Sequence, residues 1–241
     1  NSEVKIFDDV YTFVNSVTGK DSLEAKSTFL KFLQFNIHEF KSGQELRGWV
    51  LPKGWNVNEA KIFHKKDLIH DCIEKTPLGC AYLSPSFKGT IDKDELLDHC
   101  CWREDLPLAT VYDWTRLYRR GSKSWGISVP WKELKKFPSK DLRISIDTYE
   151  YNSKMIVYDY FLKGEYKEEI IINAHNCHPY QANDDISGCA LGIAFMQYLK
   201  TLPYRKYSYR LLIGPELFAP MFCFNKLNKD QINKIKGCLL L

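Results

Sequence analysis

The chain has 241 residues, of which 44% are hydrophobic, enough to bury a core in one large or two small domains and too many for a disordered polymer. Lysine and arginine exceed aspartate and glutamate by only 34 to 30, which gives no electrostatic footprint for nucleic acid. The 8 cysteines are scattered without a CxxC pair, which disfavours a finger-type zinc module and a disulfide framework and fits reduced thiols in a cytoplasm.

Periodicity predicts two amphipathic helices at the start, over residues 3–17 and 23–39, with Phe29, Phe32, Leu33 and Ile37 on the apolar face of the second. From Glu45 the pattern shifts to short alternating stretches broken by prolines, which reads as a small β-rich unit inserted over 45–135. Trp49-Val50-Leu51, Ala60-Lys61-Ile62-Phe63 and Gly79-Cys80-Ala81-Tyr82-Leu83 are its candidate strands. Arg116, Arg119, Arg120 and Lys123 form a basic run that reads as a solvated face. No apolar run approaches the roughly 20 residues that cross a bilayer, so neither a membrane nor nucleic acid is an expected partner.

The flanking segments, 1–44 and 136–241, are expected to form one α/β domain. Residues 142–149 and 155–162 read as an alternating pair of strands, followed by a continuous apolar strand at 169–174, a largely buried helix at 188–199 and a strand at 207–213. Strand, loop, helix and strand in that order call for a βαβ unit with its two strands parallel. The last residues, Cys238 to Leu241, read as the middle of a buried strand, so sequence is expected to continue beyond them.

The chemistry gathers in the loop of that unit, Asn173-Ala174-His175-Asn176-Cys177-His178-Pro179-Tyr180-Gln181-Ala182-Asn183-Asp184-Asp185-Ile186-Ser187-Gly188. Neutral imidazoles and ionised carboxylates are the donors that borderline divalent metals accept, and open α/β sheets bind ligands at the carboxyl ends of their strands. Helix capping accounts equally well for Asn183-Asp184-Asp185 taken alone. Glu216 adds to the case for a site, because it lies just past the end of the next strand, where it can face the loop across a crevice.

These residues resemble a known family. The stretch from His175 to Gly188, then a buried helix and a strand ending in Pro215-Glu216, is similar to the active-site core of zinc-dependent aminopeptidases. It is more similar still to the aminopeptidase-like proteins of bacterial polysaccharide-biosynthesis loci, whose loop reads Cys-His-Pro-x-x-Ala-Asn-x-x-x-Ser-Gly. Trp49-Val50-Leu51-Pro52-Lys53-Gly54-Trp55-Asn56-Val57, the segment from Tyr112 to Trp125-Gly126, and Tyr207-Ser208-Tyr209-Arg210 resemble further motifs of that family in the same order.

The resemblance implies a zinc-peptidase α/β sheet with flanking helices, and a metal-dependent hydrolase that cleaves an amide of a peptide or an acylated amino-sugar. It implies His178 as a metal ligand with His175 as the competing histidine, and Asp184 as the bridging or sole carboxylate. Asp185 either replaces Asp184 or orients a ligand, and Glu216 is the general base. Leu217 stands where two-metal enzymes place a second acid, which implies one zinc ion. The alternative is an inactive saccharide-binding or regulatory module using the tryptophans of the inserted unit. A small-molecule or peptide substrate is the expected partner in either case, with a homo-oligomer also open.

Overall fold

The computed structural model describes residues 25–113, 124–178 and 180–241. The predicted helix over 3–17, the basic run at 116–123 and Pro179 lie outside the described residues. The chain forms two compact units, one built from the described residues up to Pro52 together with Ser153–Leu241, the other from Lys53–Asn152.

The first unit opens with helix α1 (Lys26–Phe32), which buries Phe29. The helix then stops, where the spacing of apolar residues had predicted that it would run on to Glu39. Leu33 is extended, and Asn36–Lys41 is strand β1, paired antiparallel with Lys154–Leu162. The Phe29, Phe32, Leu33, Ile37 spacing suits a helix, but in the structure Ile37 and Phe40 serve opposite faces of the sheet, and pairing at its edge with β10 decides for the strand. A short hairpin follows, β2 (Glu45–Leu46) with β3 (Trp49–Val50).

The second unit is built on β4 (Gly54–His64), β5 (Asp67–Asp71) and β6 (Phe87–Ile91), then helix α2 (Lys93–Asp98) and the small parallel pair β7 (Cys100–Cys101) and β8 (Ile127–Ser128). Helix α3 (Trp131–Leu134) and strand β9 (Leu142–Tyr151) complete it, in a sheet of order β5-β4-β9-β6. The expected strand at 79–83 is instead a turn of 3₁₀ helix at Pro77–Gly79, capped by Thr76, with Leu83 in the left-handed region. Gly79 is required there, because a Cβ would lie 1.6 Å from the Cys72 carbonyl oxygen. Among the described tryptophans of this unit, Trp125 is buried between Phe87 and His99, and Trp102 stacks on Trp131.

Strand β9 was expected to pair with 155–162 but pairs with β4 and β6. Ile144 and Ile146 are buried in the core of the second unit with Ile62 and Leu96. The compact units therefore divide at 52/53 and 152/153, whereas the composition shifts fall at 44/45 and 135/136.

The chain returns to the first unit through β10 (Lys154–Leu162), β11 (Glu169–His175), helix α4 (Ser187–Thr201), β12 (Ser208–Gly214), α5 (Phe218–Phe224), α6 (Lys229–Asn233) and β13 (Ile235–Leu240). The sheet order is β1-β10-β12-β11-β13, with β11 parallel to both β12 and β13. β13 is a strand, as expected, but it is an exposed one: Leu239 and Leu240 are 50% and 69% exposed.

Helix α4 covers one face of the sheet with α1, burying Ile193, Ala194 and Met196 against Ile172, Leu211 and Ile213. It is less buried than its composition suggests, since Leu191, Phe195 and Tyr198 form an exposed stripe at helical spacing. Helix α5 covers the opposite face, packing Ala219 and Phe222 on Val157, Ile171 and Leu212. Among the described residues no helix is long and apolar enough to cross a membrane.

Candidate metal centre

Strands β11 and β12 are adjacent and parallel, and their chains leave in opposite directions: β11 leads to α4 on one face, β12 to α5 on the other. Divergence of two neighbouring loops opens a crevice at the carboxyl ends of the strands. The register fixes what meets there. His175 pairs with Gly214, and Asn176 N–H donates to the Gly214 carbonyl, so the loop after His175 and the acid two residues past Gly214 start from the same level of the sheet.

The result is a cluster of His175, Cys177, His178 and Glu216, in which one donor atom from each lies within 4.8 Å of the others. His175 is buried, His178 half-buried and Glu216 exposed. The His175 ring is held from both sides, with Nε2 3.1 Å from Asp184 Oδ1 and Nδ1 3.6 Å from Cys177 Sγ. His178 Nδ1 lies 3.3 Å from the same sulfur, and the Glu216 backbone N–H donates to it at 3.3 Å.

The two aspartates of the loop do different work. Asp184 is mostly exposed and reaches the cluster through His175. Asp185 is buried and turned to the backbone: Oδ2 accepts from His175 N–H and Oδ1 from Gly188 N–H, both at 3.0 Å. Burial raises its carboxyl above the usual aspartate value, with the bonds from His175 and Gly188 opposing the rise. Asp185 thus pins the end of β11 to the start of α4.

The structure therefore brings together His175, His178 and Glu216, connects Asp184 to them, and sets Asp185 behind them. Cys177 is the member that the sequence reading passed over. Its position in His-Asn-Cys-His, between two candidate ligands, was the available signal. Its thiol is pushed up to about 11, first by burial of the sulfur. Leu217, next to Glu216, is exposed and holds a φ of 61° that favours glycine, which places local backbone strain beside the cluster.

Among known proteins, a family model described as a domain of unknown function, DUF4910, matches residues 4–241. A Clostridium acetobutylicum protein named for polysaccharide biosynthesis with an aminopeptidase-like domain is 28% identical over 236 residues, covering 96% of this chain and 52% of the relative. The chain thus spans about half the length of that curated relative. The crystal structure of a C. acetobutylicum protein named as a peptidase superposes with a TM-score of 0.79 at 26% identity, over 100% of this chain and 57% of that one. A zinc aminopeptidase from Bacillus subtilis superposes with a TM-score of 0.57 at 11% identity, over 100% of this chain and 69% of its own. A peptidase M28 precursor from Shewanella amazonensis gives 0.54 at 12%, over 98% and 70%. These last two likenesses show the fold alone. The mixed α/β architecture is that of aminopeptidase-like peptidases, and the chain belongs to the family described as a domain of unknown function, DUF4910.

Proposed function

We propose that this chain carries the active centre of a metal-dependent, aminopeptidase-like hydrolase, which cleaves an amide bond of a peptide or acylated amino-sugar substrate with an activated water. The observation that supports it is the convergence of His175, His178 and Glu216 at the ends of two adjacent parallel strands, with Asp184 Oδ1 3.1 Å from the His175 ring. The donor set suits zinc, which takes imidazole nitrogen and carboxylate oxygen in a compact four-coordinate arrangement. The donor atoms all lie within 4.8 Å of one another, so small side-chain movements bring them onto one ion.

In this reading His178 and the His175–Asp184 pair hold the ion, and the Asp184 carboxylate fixes the orientation of the His175 ring. Zinc, when bound, lowers the pKa of a coordinated water toward neutrality and polarises the substrate carbonyl. Glu216 stands beside the histidines on a different strand, so one of its carboxylate oxygens accepts the proton of the attacking water and returns it to the leaving nitrogen. Asp185 holds the loop without touching substrate. Leu217 has no donor to offer a second ion, which favours a single one.

Metal analysis combined with amide-hydrolysis assays on a panel of aminoacyl and N-acyl amino-sugar substrates tests the reading. Stoichiometric zinc is expected in the wild type. His178→Ala is expected to reduce that metal content, and Glu216→Gln to keep the metal while losing about 10²–10⁴-fold in turnover. Unchanged metal content in His178→Ala, or unchanged turnover in Glu216→Gln, overturns it.

A further inference from the structure

We propose that Cys177 is itself a metal ligand, bound as a thiolate, so that the centre is a mixed sulfur and nitrogen site formed by His175, Cys177 and His178. This rests on the reading of the crevice as a metal centre and adds to it a donor of a different chemical kind. Although much of the residue lies at the surface, its Sγ points inward, to 3.3 Å from His178 Nδ1 and 3.6 Å from His175 Nδ1. Two ligands on one tetrahedral zinc, with Zn–S near 2.3 Å and Zn–N near 2.05 Å, stand about 3.6 Å apart. The sulfur already keeps about that spacing from each of the two nitrogens.

The ring contacts point the same way. Asp184 Oδ1 lies 3.1 Å from His175 Nε2, so the carboxylate sits at one ring nitrogen and the other, Nδ1, is turned to Cys177. His178 also turns its Nδ1 to the same sulfur. One thiol proton serves one ring nitrogen at a time, whereas an ion on that side serves the two nitrogens and the sulfur together. The Glu216 backbone N–H donates to Sγ at 3.3 Å, the kind of outer bond that steadies a metal thiolate, and it ties the ligand to the residue proposed as base. Metal binding releases the thiol proton to solvent, and the sulfur keeps the electron pair that forms the bond.

Among the described residues no other thiol belongs to a group of three or more potential metal donors within reach of one another. Cys72, Cys80, Cys189 and Cys223 are buried, and Cys189 spends its S–H on the His175 carbonyl. A thiolate donor gives the centre a preference for zinc or cobalt over magnesium or manganese, which take oxygen.

Cobalt(II) spectroscopy on the full chain decides the point without an activity assay. The wild type is expected to show tetrahedral cobalt bands in the visible together with a thiolate-to-cobalt charge-transfer band in the near ultraviolet. Cys177→Ser and Cys177→Ala are expected to lose the charge-transfer band, to bind cobalt at least ~10-fold more weakly, and to keep the wild-type far-ultraviolet circular dichroism. Visible cobalt bands without the charge-transfer band in the wild type refute the thiolate and leave the hydrolase reading standing. A charge-transfer band that survives in Cys177→Ser assigns the sulfur elsewhere and also refutes it. Failure of the wild type to take up cobalt or zinc refutes both readings at once.

Discussion

At Gly188 a single hydrogen decides whether the loop closes. A Cβ built there would lie 1.9 Å from Asp185 Oδ1, in the space that the carboxylate needs in order to accept from His175 and Gly188 N–H. Gly188→Ala is therefore expected to displace Asp185 and strand two buried donors, as Asp185→Ala does by removing the acceptor. Each change is expected to cost about 1–3 kcal/mol in urea denaturation and to weaken zinc binding about 10–100-fold through loss of the loop that carries Asp184. Wild-type stability in either variant would show that the clamp carries no weight. The Ser187-Gly188 pair and its acidic neighbours are visible in the sequence as a motif. Which acid faces the histidines and which holds the backbone is not, because residues one apart differ only in the direction that the folded loop gives them.

At the scale of elements, the βαβ unit was legible because its signals are local. β11 is a run of Ile170, Ile171 and Ile172, and α4 repeats apolar residues at helical spacing. Two errors came from elements whose fate is decided far along the chain. Residues 36–41 become a strand because β10 offers an edge more than a hundred positions later, and β9 pairs with β4 from the other end of the second unit. Alternation says that a segment is a strand and which face is apolar, but it does not name the partner. Helix α4 gives the quantitative check on burial. Ile193 is fully buried and Leu191 is 49% exposed, two positions apart on the same helix. Ile193→Ala is expected to cost about 2–5 kcal/mol by leaving a cavity between helix and sheet, whereas Leu191→Ala stays within about 0.5 kcal/mol. Equal effects in thermal melts would contradict the packing described for this face.

Across the whole site-bearing unit, one row of charges crosses the sheet on the α5 face. His38 of β1 contacts Asp159 of β10, Arg210 of β12 bonds the same carboxylate at 2.6 Å, and its Nε bonds Glu169 of β11 at 2.5 Å. Four of the five strands of the sheet thus share one polar network, at the end of β11 away from the crevice. The Asp159 and Glu169 side chains are 8% and 15% exposed, and the Arg210 guanidinium lies between them. Replacing one partner of a buried pair leaves an uncompensated charge, which costs more than the pair gains over an apolar group. Arg210→Met is accordingly expected to destabilise the unit by about 3–5 kcal/mol, with amide exchange accelerated in β10, β11 and β12. Adding Asp159→Leu and Glu169→Leu to that variant removes both stranded carboxylates and is expected to restore most of the loss. Recovery in the triple variant, with zinc content unchanged, would separate the network's part in folding from the chemistry at the opposite end of the same strand; no recovery would mean that the three side chains do more than balance one another's charge.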